Sequence, residues 1–345
     1  MKTRLILISL GVIAVCTACV KNKIVSTDRE YWVGGYSSEF PSRNATMEIE
    51  EIARSVKKIY SVSYYTTYQF KREAGMTAYR ISQGSYQNVA WGVISASETV
   101  SGTATVIGNV NSRIALLSCA HIISSPDTVW SYYDQSDENP LRYVQSFSVK
   151  TRQENWIREL SSCGPFQVVA SDLTNDIAIL GKKFEPLTDT VIPFPYPSGL
   201  AAQLGWGSFV YILGYPMGNQ MITKGIVSPA AKRPMGEFSV DALLNKGYSG
   251  GIILALRNGI PNFELVGMVK TVNSTRENFL RPASEMQHNP DWMPYNGEAY
   301  IGRIEHLQYG MNVVVPFESI VEFYKKNRSQ LLSAGYNLDI FFHIK

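Results

Sequence analysis

SVDALLNKGYSGGIILAL, residues 239–256, sets a serine between pairs of glycines, and its reading decides the fold. The run Gly247-Tyr248-Ser249-Gly250-Gly251 satisfies two nucleophile patterns at once. In G-x-S-x-G the serine sits on a sharp turn from a strand into a helix, and the acid and histidine follow it in the chain. In G-x-S-G-G the serine lies in a loop between strands, with histidine and acid upstream. A glycine-rich turn carrying a bystander serine is the third reading. The following residues discriminate. Ile252–Leu256 is a β-branched and aliphatic run, Arg257-Asn258-Gly259 is a turn, and Leu265–Val269 is a second such run. That is a hairpin, and no helix follows the serine. The histidines beyond it do not help the first pattern. His288 falls in a predicted loop, His343 is nearly terminal, and His306 lies in no segment with catalytic patterning.

Upstream, Leu116-Leu117-Ser118-Cys119-Ala120-His121 is a strand running into small residues and then a histidine. Val168–Leu180 carries Asp176 directly before the aliphatic run Ile177–Leu180. The order is therefore His121, Asp176, Ser249, which suits a nucleophile, a general base and an acid that orients the base. Asp172 is the rival acid, but it precedes Asn175 in a turn-like setting. Asp127 and Asp134 lie closer to His121 in a polar insertion and lack a following aliphatic strand.

These segments resemble the T-A-A-H, D-I-A-L-L and G-x-S-G-G stretches of trypsin-fold proteases. The resemblance sharpens further along the chain. Gly214-Tyr215-Pro216-Met217-Gly218 and Thr223–Ser228 look like the G-N-P-x-G and T-x-G-I-V-S hairpin of HtrA/Deg-type bacterial serine proteases. Asp241-Ala242 with Asn245–Gly251 is similar to their D-A … N-P-G-N-S-G-G, and Leu265–Val269 and Asn312–Pro316 resemble the strands that follow. The likeness covers about residues 90–330. It implies an all-β fold, a trypsin-like double six-stranded β-barrel, here with an N-terminal helical extension and a C-terminal helix. It also implies an oxyanion hole from the N–H groups of Gly247 and Ser249, and a substrate strand added along Lys270, Thr271 and Val272. Leu243, six residues before the serine, takes the place of the S1 pocket base and implies a small or apolar side chain there. Lys246, Tyr248 and Ile252 depart from the family pattern, and Tyr248 is placed to narrow the mouth of the site. Only about 15 residues follow the closing helix, so PDZ regulation is not implied.

The rest of the chain reads as short β-branched and aromatic runs broken by Gly, Ser, Asn and Pro, as at 102–107, 114–117, 147–150, 166–170, 177–180, 209–213 and 221–227. Residues 124–165 read as an extra hairpin or lid. Residues 276–300 read as a long surface loop. Helical spacing of Ile49, Ile52, Val56 and Ile59 predicts a helix over 44–60. Pro316 opens a closing helix over 317–329 with Phe317, Ile320, Val321 and Tyr324 on one side. The division expected is a signal peptide over 1–18, a linker over 19–43, an extension over 44–89, the protease domain over 90–330 and a tail over 331–345.

Lys2 and Arg4 precede an apolar stretch, Leu5–Ala18, too short to span a bilayer but suited to a signal peptide. Cys16-Thr17-Ala18-Cys19 resembles the lipobox of bacterial lipoproteins, with Cys16 in place of the usual Leu. That implies lipidation of Cys19, and localisation outside a bacterial membrane, facing periplasm or exterior. Cys119 and Cys163 then remain, as a disulfide or as two thiols. At 345 residues, 45% hydrophobic and 18% charged, the chain is globular, and its formal net charge of +3 points to no nucleic-acid partner. No cluster at metal-ligand spacing appears, and neither metal nor cofactor is expected. The function expected is an exported, lipid-anchored serine endopeptidase acting on proteins or peptides. The alternatives are a trypsin-fold lipoprotein that binds without turnover, and a serine esterase.

Overall fold

The computed structural model describes residues 35–133, 142–183, 191–228, 236–282 and 299–344. The signal segment, Cys19, the linker as far as residue 34, and Asp134 lie outside them. Of the linker, residues 36 and 37 dock on the body of the protein. Ser37 N–H donates to the Leu256 carbonyl, Phe209 N–H donates to the Ser37 carbonyl, and the Tyr36 hydroxyl donates to Glu264 at 2.7 Å.

The predicted helix over 44–60 is shorter than its spacing suggested. α1 covers Thr46–Ser55 and gives way at once to β1, Val56–Gln69. Ser55 Oγ bonds back to the Ile52 carbonyl at 2.7 Å, and the chain turns extended at Val56. From Val56 on, β-branched and aromatic residues alternate, and ladders on both sides of β1 claim its backbone groups. Val56 and Ile59 are buried as the spacing required, but on a strand.

Two short helices, α2 (Ala78–Ser82) and α3 (Tyr86–Val89), follow β1. The first sheet is completed by β2 (Gly92–Val110), β3 (Arg113–Ser118), β4 (Thr128–Tyr132), β5 (Val144–Ile157), β6 (Gln167–Asp172) and β7 (Ile177–Lys183). Its order is β4-β5-β1-β2-β3-β7-β6. Phe166, just before β6, bridges to Asn155 of β5, with its N–H 2.6 Å from the Asn155 carbonyl. That bridge draws six strands round on themselves and leaves β4 paired only to the outside of β5. The 124–165 stretch, read as an extra hairpin or lid, thus supplies β5, which pairs along β1, as well as the outer strand β4.

The second sheet is a closed barrel. β8 (Phe209–Gly214), β9 (Met221–Ser228), β10 (Phe238–Asp241), β11 (Ile252–Leu256), β12 (Phe263–Pro282) and β13 (Ala299–Pro316) are joined in the order β10-β13-β12-β11-β8-β9. Every residue of β11 is buried. Ile253 and Ala255 point into the barrel core, while Ile252, Leu254 and Leu256 join the core shared with the first sheet. A strand sandwiched between two cores reads as an unbroken apolar run. The fold is therefore mostly β, with a seven-stranded sheet, a closed six-stranded barrel, a helix at the N-terminal side and a helix at the C-terminal side.

The predicted loop over 276–300 is corrected at both ends. β12 runs through Pro282 and β13 starts at Ala299, paired in register from Arg276↔Glu305 to Pro282↔Ala299. Residues 283–298 lie outside the description. α4 covers Phe317–Ser333. The residues beyond it, read as a tail, are part of the core. Tyr336, Leu338 and Phe342 are buried, and Phe342 stacks on Tyr324 of α4 with ring centroids 4.3 Å apart. Among the described residues no helix is long and apolar enough to cross a membrane.

Candidate active site

β3 is buried almost throughout and delivers the chain to a short turn, Ala120–Ile122. Cys119, Ala120 and Ile122 are buried, which leaves His121 facing outward with 44% of its side chain exposed. Asp176 occupies the residue before β7. Its φ of +58° is left-handed, a conformation that aspartate tolerates better than most side chains. This backbone turn aims both carboxylate oxygens at the histidine. Oδ2 lies 2.7 Å from His121 Nδ1, and Oδ1 accepts the His121 backbone N–H at 2.8 Å. A buried carboxylate that holds a ring nitrogen and the same residue's amide fixes the imidazole in place and leaves Nε2 for chemistry.

Asp172 is spent on its own turn. Oδ1 accepts the N–H groups of Thr174 and Asn175 at 2.9 and 3.1 Å, and Oδ2 accepts Asn175 Nδ2 at 2.6 Å. Partial burial works against its charge, but these bonds from Asn175 and Thr174 outweigh it and hold the carboxyl below its usual range. The turn shapes the approach to Asp176 and takes no part in the pair.

Ser249 is half-buried in the loop between β10 and β11. Two glycines make that loop possible. Gly247 has φ +106° and Gly250 φ +81°, and a side chain at either would run into backbone, the Tyr215 carbonyl in one case and the Thr103 carbonyl in the other. Thr103 of β2 is the hub on which the loop is hung. Its N–H donates to the Ser249 carbonyl at 2.8 Å, and its hydroxyl donates to the Gly247 carbonyl at 2.8 Å. The same hydroxyl accepts Tyr215 N–H at 2.9 Å, and Ser118 Oγ donates to the Thr103 carbonyl at 2.7 Å. Thr103 is fully buried, and sequence reasoning missed it: a threonine in a β-branched strand carries no signal of this role.

The other side of the loop is tied to β12. Gly250 N–H donates to the Val269 carbonyl at 2.9 Å, and Val269 N–H donates to the Gly251 carbonyl at 2.8 Å. Cys119 Sγ lies 3.2 Å from that same Val269 carbonyl. The serine loop and the histidine turn thus share Val269 on one side and Thr103 with Ser118 on the other. Among the described residues the N–H groups of Gly247 and Ser249 donate to no acceptor. They remain available to an oxygen carrying developing charge.

Cys119, His121 and Asp176 bring one potential ligand atom each within 4.8 Å of one another. Two of the three are bonded to each other, and burial together with the Asp176 charge pushes the Cys119 thiol well up, which disfavours the thiolate a metal needs. Cys119 and Cys163 are free thiols, so no disulfide links them.

The remaining expected positions are mixed. Tyr248 does not narrow the mouth: it is 2% exposed, turned into the second barrel's core against Gly214, and burial raises its hydroxyl's pKa. A phenol ring beside an apolar barrel gains more from burial than from standing over a wet cleft. Leu243 is 73% exposed, the position of a surface residue and not of a pocket floor. Lys270 pairs with Glu237 at 2.7 Å. Thr271 and Val272 pair with Val313 and Asn312 of β13, while the other edge of β12 has left β11 after Met268. A groove of about 990 Å³ lies elsewhere, lined by Glu48, Glu51, Tyr196 and Arg257 among others, and shares no residue with the His–Asp pair.

The family model of the trypsin-like peptidase domain matches residues 102–268, which hold His121, Asp176, Ser249, Thr103 and Gly247. No curated protein matches the chain in sequence. Among solved structures it is similar to an HtrA-type protease, AlgW, with a decapeptide: 15% identity, TM-score 0.43, covering 85% of this chain and 68% of the other. It is also similar to a serine endoprotease from Yersinia pestis: 14% identity, TM-score 0.38, covering 86% and 70%. Residues 102–268, from within β2 to within β12, are thus similar to a trypsin-like peptidase domain.

Proposed function

We propose that the protein is a serine endopeptidase, exported and held to a bacterial membrane by a lipid on Cys19. Ser249 attacks the scissile carbonyl, and His121 Nε2 takes the hydroxyl proton and passes it to the leaving amine. The resulting acyl-enzyme is released by water, whose proton His121 takes in turn. Asp176 orients the imidazole and stabilises its charged form. The Gly247 and Ser249 amides bind the oxyanion, each worth roughly 3–4 kcal/mol in the transition state.

The observation that carries this reading is the double hydrogen bond from His121 to a buried Asp176, in a domain whose serine loop offers two unclaimed N–H groups. A fluorophosphonate probe tests it. The wild-type chain is expected to label at Ser249 and to cleave denatured protein, and Ser249→Ala to do neither. A folded chain that takes no label at neutral pH sinks the peptidase reading in favour of a binding module. Turnover of esters alone favours the esterase. Lipidation is read from the mass of the N-terminal peptide, which Cys19→Ala should leave unmodified.

A further inference from the structure

β2 changes partners along its length. From Ala104 to Val110 it is bonded on one edge to β3, and from Gly92 to Thr105 it is bonded on the other edge to β1. From Gly92 to Ser101, the edge that faces away from β1 has no strand beside it among the described residues. This edge is regular, because the register with β1 is unbroken from Gly92 to Thr105. In an antiparallel ladder alternate residues present N–H and C=O to the same side. Thr103 points its N–H outward, to the Ser249 carbonyl at 2.8 Å. The residues of the same parity, Val93, Ser95, Ser97, Thr99 and Ser101, therefore point theirs outward too.

The edge also carries little protection in its own sequence. Long free edges are normally blunted by lysine, proline, a bulge or a covering loop. Here the stretch GVISASETVS holds one charge, Glu98, with no lysine and no proline. Val93 and Ile94 are 55% and 48% exposed, and Trp91 beside them is 61% exposed. The edge extends about 33 Å at roughly 3.3 Å per residue. It begins where Thr103 holds the carbonyl of the candidate nucleophile. Residues 249–251 bond to β2 through Thr103 and to β12 through Val269, so the two strands leave the serine loop from its two sides.

We propose that the β2 edge from Gly92 to Ser101 takes an extended segment of polypeptide substrate as an added strand, so that this protein selects long, unfolded chains over short peptides. The placement of this strand beside Ser249 rests on the peptidase reading, while the capacity of the edge to bind does not. Main-chain bonds to five outward-facing residues supply affinity with little sequence demand, and Val93 and Ile94 favour apolar or β-branched partners.

The test is binding to the full-length Ser249→Ala chain. The probes are a fluorescein-labelled unstructured peptide of about 20 residues of mixed Thr, Val, Ser and Lys, and a truncated one of about five, with Kd read by fluorescence anisotropy. Thr99→Pro removes an outward N–H and spares the β1 ladder, since proline is tolerated on an edge. It should raise the Kd of the long peptide by about fivefold or more and that of the short one by less than about twofold. Ser97→Pro should do the same. If circular dichroism shows both unfolded, the double variant Val93→Lys, Ile94→Lys carries the same expectation. An unchanged Kd for the long peptide overturns the proposal. So does a wild-type dimer, seen by sedimentation, that Thr99→Pro dissolves, since the edge would then belong to a second copy. If the wild-type chain takes no fluorophosphonate label and yet the Kd values separate as stated, the peptidase reading falls and the edge stands as a peptide-binding site.

Discussion

At the scale of single residues, Thr103 bears on the site as directly as the three side chains proposed to carry its chemistry. Its hydroxyl and its two backbone groups make four hydrogen bonds: to the Gly247 and Ser249 carbonyls, from Tyr215 N–H and from Ser118. All four are buried or nearly so, where an unmade bond costs most. Thr103→Val keeps the shape but leaves the Gly247 carbonyl and the Tyr215 N–H without their partner. The expected outcome is a loss of about 1–3 kcal/mol in urea unfolding. Fluorophosphonate labelling at Ser249 should also slow more than the stability loss alone would bring, because the Gly247–Ser249 segment is no longer held. The His121–Asp176 pair and the glycine-flanked Ser249 stood out in the sequence as candidates because order and flanking residue types are properties of the chain. Thr103 did not, because its role is visible only when β2, β8 and the serine loop meet. Tyr248 failed in the opposite sense: its position next to the serine suggested the mouth, and the alternation of the loop sent it into the barrel.

At the scale of elements, the β6–β7 turn shows how local sequence and distant partners divide the work. Asp172 builds the turn from within three residues, through two amides and the Asn175 side chain. Its carboxyl is held below the ordinary value, so it contributes stability above the unfolded pKa of about 3.9, lost as pH falls through the folded value. Asp172→Ala should therefore destabilise the protein by about 1 kcal/mol between pH 5 and 8, as other lost side-chain caps do. The gap between variant and wild type should close below about pH 4, which urea titrations at a series of pH values would record. A gap that stays constant into acid would mean that the charge contributes nothing. The α1–β1 boundary is the converse case. Helical spacing of Ile49, Ile52, Val56 and Ile59 is satisfied by α1 only as far as Ser55, and the ladders from β2 and β5 decide the rest. Spacing of three and four over so few residues cannot exclude a strand, whose buried positions also recur.

At the scale of the whole molecule, the last residues close the structure. Phe342 stacks on Tyr324 at 4.3 Å, Arg328 and Asp339 pair at 2.7 Å, and Tyr336 packs over Gly181 of β7. A side chain at Gly181 would strike the Tyr336 ring, so β7 and the C-terminal segment fit each other closely. Phe342→Ala is expected to cost about 3–5 kcal/mol in urea or thermal unfolding, the range for emptying a packed aromatic site. A detached tail would show less than about 0.5 kcal/mol. The composition of 331–345 gave no hint of this docking, because a few aromatics among polar residues do not reveal the surface against which they pack.

Strand content, the hairpin after Ser249, the strand-to-histidine turn and the closing helix follow from residue order alone, since each depends on neighbours within a few positions. The register that bonds Ser249 to Thr103, the left-handed turn that aims Asp176 at His121, the inward Tyr248, the β2 edge left unpaired among the described residues and the buried C-terminus do not. Each is set by contacts between segments tens to hundreds of residues apart. Those contacts exist only after both barrels close, and no local pattern of a single chain encodes which distant surface it will meet.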